Sequence, residues 1–169
     1  MFVRMNFLIK SLMLSLFLIV FSPFVFATMT PNTPTIEKAQ SVVGYWQTID
    51  GKTKKPSSII AIISNGQFYD GKVVKAFPVP GEQKSSLCIA CKGDQKNKPI
   101  VGLTIIKNMV CKPGICSKGT ILDPRNGKIY HATMRLVNNG NQLKVRGYIG
   151  MPMLGKTVVW NRVSKKSVQ

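Results

Sequence analysis

Four cysteines, at positions 88, 91, 111 and 116, are the residues whose type and spacing bear most directly on chemistry. Cys88-x2-Cys91 and Cys111-x4-Cys116 are 19 residues apart, close to a zinc-ribbon spacing, and four thiolates would satisfy tetrahedral zinc. Disulfides are the alternative, with three possible pairings. A redox Cys-x-x-Cys is a further reading, but that motif usually opens a helix in an α/β fold, and no helical pattern is evident here.

The N-terminal segment favours disulfides over zinc. Its apolar stretch from residue 11 to residue 27 is 17 residues long and is interrupted by Pro23, whereas a spanning helix needs about 20. Val25-Phe26-Ala27 places small residues at both positions that a signal peptidase reads. We therefore predict a cleaved secretory signal peptide over residues 1–27 and an exported protein, periplasmic or secreted. Its cysteines would meet an oxidising compartment, where disulfides persist.

Groups for acid–base catalysis are few, because the chain has one histidine, His131, and six acids. Asp123 lies nearest to it in sequence, and with a serine the two could form a hydrolase-type triad. Their spacing does not require this, and a lone strand histidine is more often a surface or core residue. The chain also lacks a phosphate-binding glycine loop, a metal-binding histidine pair and a paired-carboxylate motif. We therefore predict no catalytic residue, metal or cofactor.

Tyr130, Arg146 and Tyr148 are better candidates for ligand contacts, together with Asp123 and His131. Tyr130 falls on the apolar face of its predicted strand, and Arg146 and Tyr148 share the other face of the next one. If that second face turns inward, it offers a cation and a phenol to an acidic or polar ligand. An outward, solvated Arg146 is the competing interpretation.

The charge balance points to anionic partners outside the cytosol. Lysine and arginine number 24 against six acids, a net charge of +18, and loss of Arg4 and Lys10 with the leader leaves 22 basic residues, or +16. Such a chain is attracted to polyanions such as lipid headgroups. The lysines are spread along the sequence, which favours a diffuse positive field over a dedicated patch. Nucleic acid is not expected, because an aromatic stacking platform is missing.

Short strands separated by turns are predicted to position these groups. Asn-Gly pairs occur at residues 65–66, 126–127 and 139–140, and suit type I′ hairpin turns, in which both central residues have positive φ. Asp50-Gly51 and Pro113-Gly114 are further turn candidates. The turns separate about eight predicted strands, over residues 42–48, 58–64, 67–75, 100–109, 119–122, 128–137, 142–149 and 154–162. Sequential hairpins with one apolar face favour an all-β, antiparallel up-and-down barrel.

The predicted domain organisation follows from these elements. Residues 28–40, rich in Thr and Pro, form a flexible lead-in after the leader. Residues 41–163 form a single β-barrel domain, and residues 164–169 form a basic tail. No transmembrane span is expected once the leader is removed. The segment from residue 58 to 64 is apolar on both faces, which predicts that something covers it from outside.

The two ends of the barrel domain carry residues suited to closing it. Gly44 and Trp46 form a Gly-x-Trp in the first strand, and Trp160 and Arg162 stand in the last. Trp46 would seal one end, and the Arg162 guanidinium could stack on its ring. We interpret these four residues as closure rather than ligand contacts.

Six motifs in order give the chain a family resemblance over nearly the whole predicted mature domain. They are Gly44-x-Trp46, Cys88-Ile89-Ala90-Cys91, Lys98–Gly102, Ile121–Tyr130, Leu143–Tyr148 and Trp160-Asn161-Arg162. The chain resembles the exported bacterial proteins of domain-of-unknown-function family 2147. The resemblance implies a lipocalin-like barrel outside the cytoplasm and implies no reaction. The sequence ends too soon for the helix that follows the barrel in true lipocalins.

The resemblance also bears on the cysteines. Cys88 and Cys91 belong to the family pattern without a second pair, which favours local pairing, and Cys111 and Cys116 lie outside that pattern. A turn over Lys112–Ile115 would likewise bring Cys111 to Cys116.

Three functions are consistent with these features. The first is binding of a small amphipathic or acidic, lipid-like ligand derived from the envelope. The second is a packed, ligandless barrel that docks through its basic surface on anionic envelope material. The third is a hydrolase-type enzyme. The sequence leaves the oligomeric state open.

Overall fold

Eight antiparallel strands form a closed barrel in the computed structural model, which describes residues 41–78 and 86–169. The strands are β1 (Gly44–Ile49), β2 (Pro56–Asn65), β3 (Phe68–Ala76), β4 (Thr104–Lys112), β5 (Ile115–Asp123), β6 (Lys128–Val137), β7 (Gln142–Tyr148) and β8 (Lys156–Val163). Each strand pairs with its neighbours in sequence, and β1 pairs with β8 to close the wall. The predicted fold class, an all-β up-and-down barrel, is confirmed.

Elements other than strands are short within the described ranges. They are three 3-10 turns, at Gly93–Gln95, Pro152–Leu154 and Lys165–Val168. The last lies in the segment predicted as a basic tail. No helix in the described residues has the length and apolar character to cross a membrane. The predicted signal peptide and the lead-in to residue 40 lie outside the described residues.

The hairpin turns fall where the Asn-Gly pairs predicted them, but only at residues 139–140 do both members of the pair have the positive φ expected of a type I′ turn. Gly66 and Gly127 have φ of +64° and +67°, while Asn65 and Asn126 do not have positive φ. The β6–β7 turn is longer, because Asn138 precedes the Asn-Gly pair and also has a positive φ, of 52°. The left-handed glycine is therefore the common feature of these turns.

The starts of two strands differ from the prediction by four residues each. β4 begins at Thr104 rather than Ile100, because the amide of Leu103 donates to the Ile100 carbonyl and closes a turn there. β5 begins at Ile115 rather than Gly119. The prediction missed its first residues because Lys118 has a φ of +64°, which breaks the alternation of side chains within one continuous strand. The register of β5 with β6 shifts at the same place, which identifies a bulge.

Inward side chains fill one half of the barrel. Trp46, Ile60, Ile106, Met134 and Leu143 are fully or almost fully buried and belong to one apolar cluster. The outer face of β2 is also apolar, and Ile59 there is completely buried. Its sheet partner Lys75 donates from its ammonium group to the carbonyls of Ser167 and Gln169. The C-terminal turn is therefore held on the outside of the barrel beside Ile59.

Candidate functional site

The two ends of the barrel differ in construction. Short turns join β2 to β3, β4 to β5 and β6 to β7, and they lie with the start of β1 and the end of β8 at what we call the closed end. The other four connections, between β1 and β2, β3 and β4, β5 and β6, and β7 and β8, lie at the opposite, open end. The β3–β4 connection is the longest of them and contains both cysteines of the first pair.

Trp46 and Arg162 seal the closed end. The two residues are directly paired across β1 and β8, and the guanidinium carbon lies 4.2 Å from the indole centroid. The guanidinium donates to the carbonyls of Gly140, Val43 and Ser41 at 2.6, 3.0 and 2.7 Å. Burial lowers the pKa of Arg162. These contacts tie the β6–β7 turn and the chain entering β1 to the last strand.

Gly44 and Trp160 complete this arrangement. A Cβ on Gly44 would lie 2.9 Å from the Arg162 guanidinium, and its φ is +134°, so the position suits glycine. Trp160 is buried opposite Leu143 on β7. Its ring marks the boundary between the packed half of the barrel and a cavity above it.

Two disulfides join the four cysteines, Cys88 to Cys91 and Cys111 to Cys116. The second joins residues directly opposite each other on β4 and β5, with Cys116 fully buried. Because all four sulfurs are paired, the thiolates that a zinc site would need are not available. The described residues also hold no cluster of three or more His, Cys, Asp or Glu side chains that could bind a metal ion.

The Cys88–Cys91 disulfide stabilises a folded loop at the open end. The amide of Cys88 donates to the Lys98 carbonyl and that of Ile100 to the Ser86 carbonyl, so the loop from residue 86 to 100 is paired with itself. It packs on the β5–β6 hairpin. A Cβ on Gly127 would overlap the Ala90 carbonyl oxygen and lie 2.5 Å from the carbonyl carbon, so glycine permits this close approach.

A cavity of about 1050 Å³ opens at this end. The wall of the cavity is largely apolar. The side chain of Val158 points inward from β8 and is nevertheless 38% exposed, so the space in front of it is not filled by other side chains. The loop contributes the apolar side chains of Leu87 and Ile89 to the same cavity, Val101 directly after the loop contributes a third, and all three are exposed. A barrel of eight strands leaves room for one small ligand in such a space.

Charged side chains line the rim of the cavity. Arg125 donates from Nε and Nη2 to the two carboxylate oxygens of Asp123, at 2.9 and 2.8 Å, and Lys156 stands on the inner face of β8 beside Gly147. Burial raises the pKa of Asp123, but the hydrogen bonds and charge of Arg125, with the charge of Lys156, more than offset it and leave that pKa below its ordinary value. The rim group therefore combines two cations with one ionised carboxylate.

A second carboxylate, Asp50 in the β1–β2 loop, also belongs to the lining and is buried. It accepts hydrogen bonds from the amides of Lys52 and Thr53 and from the Thr53 hydroxyl, at 2.9, 2.8 and 3.1 Å. The Asp50 carboxylate thus stabilises the β1–β2 loop, because all three donors belong to that loop.

The predicted ligand-contact residues divide between the two faces of the wall. Asp123 and Tyr130 line the cavity. Arg146 and Tyr148 alternate with the inward Val145 and Gly147 and face outward, as does His131, whose ring lies 5.6 Å from that of Tyr148. Asp123 and His131 therefore stand on opposite faces of the β5–β6 hairpin. The guanidinium of Arg146 donates to the carbonyls of Pro152 and Met153 and to the Thr157 hydroxyl.

Sequence reasoning missed Lys156, Arg125 and Asp50 as cavity residues. Lys156 carried a usable signal, since it lies two residues from Val158 and four from Trp160 on one face of β8. Asp50 and Arg125 lie in turns, where strand alternation gives no inward or outward assignment.

The geometry defines a small closed barrel with a ligand-sized cavity at one end. The fold is similar to that of a solved structure, protein HP1028 from the human pathogen Helicobacter pylori, which is described as belonging to the lipocalin family. The two share 17% sequence identity with a TM-score of 0.64, over 76% of this chain and 87% of that one. At this identity the likeness concerns the fold.

The family follows from the sequence itself. A family model described as an uncharacterized protein conserved in bacteria, domain of unknown function 2147, matches residues 44–162. The chain belongs to this bacterial family, and the predicted resemblance is confirmed. No curated protein matches the chain. The two disulfides are typical of proteins outside the reducing cytosol.

Proposed function

We propose that this protein binds a small amphipathic ligand with an acidic head group, with its apolar part in the cavity at the open end of the barrel. The observation that carries the proposal is the cavity of about 1050 Å³, with apolar walls below a charged rim. Ligand sites are concave, mostly apolar and equipped with a few placed polar groups, and they are of this size.

The wall favours an apolar chain or ring system. Val73, Ile105, Val145 and Val158 line the cavity from four strands, with Trp160 at its base. Of these side chains, Val158 still exposes 38% of its surface, and a ligand that covers it and the exposed loop residues removes apolar surface from water, a gain of about 25 cal/mol for each Å². The other four are already almost fully buried and define the shape of the cavity rather than adding buried area. Since Val158 and the loop residues Leu87 and Ile89 are already exposed, a ligand displaces water rather than side chains.

The rim favours an anionic head. Arg125 and Lys156 oppose the carboxylate of Asp123 at the rim, so this group of three carries one net positive charge. The other carboxylate of the lining, Asp50, accepts hydrogen bonds from its own loop. A carboxylate, sulfate or phosphate on the ligand would balance that charge. Lys156 is exposed and lines the cavity, which places its ammonium group within reach of a head group at the mouth.

Export of the protein belongs to the same proposal. The predicted signal peptide at residues 1–27 and the two disulfides support a location in the periplasm or outside the cell, where the ligand would be a lipid-like molecule of the envelope.

Fluorescence titration with three twelve-carbon probes tests the proposal. The chain has two tryptophans, so a Trp46→Phe variant leaves Trp160, at the base of the cavity, as the reporter. We expect dodecanoate to produce a saturable change in Trp160 emission. The affinity for dodecanol should be weaker than that for dodecanoate, and the affinity for dodecyltrimethylammonium should be the weakest of the three. Lys156→Gln should weaken dodecanoate about tenfold, equivalent to about 1.4 kcal/mol, and leave dodecanol unchanged.

Lys144→Gln is the matched control, because Lys144 lies on the outer face of β7. Equal losses in the two lysine variants would show a general charge effect and contradict the rim assignment. No saturable signal with any probe, and no heat on calorimetric titration of the unmodified protein, would overturn the binding function.

A further inference from the structure

The loop between β7 and β8 presents a group of exposed apolar side chains that the cavity does not use. Ile149, Met151, Met153 and Leu154 are 63%, 62%, 82% and 79% exposed. We call these four residues the apolar tip. They project at the open end and are not among the described residues that line the cavity. Large side chains concentrated in one exposed loop mark an interaction surface.

The apolar tip is held in its exposed position by dedicated contacts. Arg146 donates from Nε to the Pro152 carbonyl at 2.7 Å and from Nη2 to the Met153 carbonyl at 2.9 Å. The Gly155 amide donates to the Pro152 carbonyl and completes the 3-10 turn. Exposure is thus part of the folded structure, and little ordering of this loop would be needed on binding.

Basic residues are concentrated in the loops at the same end of the barrel as the apolar tip. The described residues at the open end include nine Lys or Arg against three acids, Asp50, Asp94 and Asp123. The nine are Lys52, Lys54, Lys55, Lys92, Lys96, Lys98, Arg125, Lys128 and Lys156. The described part of the closed end has four basic residues, which are Arg162 in the seal, Lys112 at the β4–β5 turn, and Lys165 and Lys166 near the C-terminus. Positive charge is therefore concentrated at the same end as the apolar tip.

We propose that the open end docks on an anionic lipid bilayer, with the apolar tip in the headgroup region. A convex apolar projection within a spread of lysines matches a surface whose negative charge is diffuse and whose interior is apolar. Docking in this orientation would place the cavity mouth against the lipid, the source of the amphipathic ligand. This last consequence rests on the proposed function, whereas the docking itself does not.

Vesicle co-sedimentation of the disulfide-bonded protein tests the proposal. We expect binding to phosphatidylcholine vesicles that contain phosphatidylglycerol, and binding to pure phosphatidylcholine that is at least about tenfold weaker. Met153→Ser with Leu154→Ser should lower the affinity for the anionic vesicles about tenfold. The matched control is Ile63→Ser with Phe68→Ser, a pair of exposed apolar residues at the closed end, which should bind like the unmodified protein.

Two double lysine variants distinguish docking through the open end from attraction by the net charge of the whole protein. Lys52→Gln with Lys55→Gln should lose more affinity than Lys165→Gln with Lys166→Gln, although each removes two charges. Equal losses in these pairs, or unchanged binding of the Met153 and Leu154 variant, would overturn the proposal in favour of undirected electrostatic adsorption. The Met153 and Leu154 variant should keep its affinity for dodecanoate in solution, so failure of docking and failure of ligand binding are distinguishable.

Discussion

Gly127 offers a quantitative test of how the disulfide loop is seated on the barrel. Replacement with alanine imposes two costs. The first is the left-handed backbone, with φ of +67°, which costs alanine about 1–2 kcal/mol relative to glycine. The second is overlap with Ala90, because the new Cβ would lie 2.5 Å from the Ala90 carbonyl carbon, whereas unstrained carbon atoms approach to about 3.5–4.0 Å. The loop must therefore move by at least about 1 Å.

Gly66 provides the matched control. It also follows an asparagine in a hairpin turn and has a φ of +64°, but a Cβ there would meet nothing within 4 Å. Since overpacking costs about 1–3 kcal/mol, Gly127→Ala should be less stable than Gly66→Ala by that amount. Urea unfolding followed by far-UV circular dichroism measures both free energies of unfolding. Equal destabilisation of the two variants would refute the close packing of the loop on the β5–β6 hairpin.

Two further predictions concern charged groups at opposite ends of the barrel. Arg162→Met removes hydrogen bonds to three carbonyls and the stacking on Trp46, and it should lower the free energy of unfolding by about 2–4 kcal/mol. The control, Arg135→Met on the outer face of β6, should change that free energy little. Similar losses of stability in the two variants would contradict the closure role of Arg162. Because the folded pKa of Asp123 is lowered, its stabilisation is present above the ordinary value of 3.8 and disappears as the pH falls through the lowered value. Asp123→Asn should therefore have a lower free energy of unfolding than the unmodified protein at pH 7, by less than about 1 kcal/mol, and this difference should disappear in acid. Urea unfolding between pH 7 and pH 2 measures the difference, and a constant value over that range would contradict the prediction.

The architecture was accessible from the sequence because its determinants are local. Each Asn-Gly pair placed a hairpin, and alternation identified the strands between them. Strand boundaries were predicted to within two residues except in β4 and at the start of β5, where the Lys118 bulge interrupts the alternation. A single residue in the left-handed conformation leaves no periodic signal, so such a bulge cannot be found from alternation.

The candidate site was only partly accessible, since alternation separates two faces without saying which one is inside. Val145 and Arg146 illustrate this, because the same pattern permits an inward arginine. The structure turns Val145 inward and uses Arg146 to hold the β7–β8 loop. The cavity also depends on the loop from residue 86 to 100, whose seat on Gly127 is a tertiary contact between distant segments.

The Trp46–Arg162 pair has a consequence for the order of folding. Seven of the eight strand pairings join neighbours in sequence, whereas β1 and β8 meet only when the rest of the wall is in place, and they pair through three residues on each strand. Forming this contact requires closure of the longest loop in the barrel, which is the slowest kind of pairing to establish. The Arg162 guanidinium therefore fastens the one pairing that closes a linear meander into a barrel, and we expect this pairing to be the last to form.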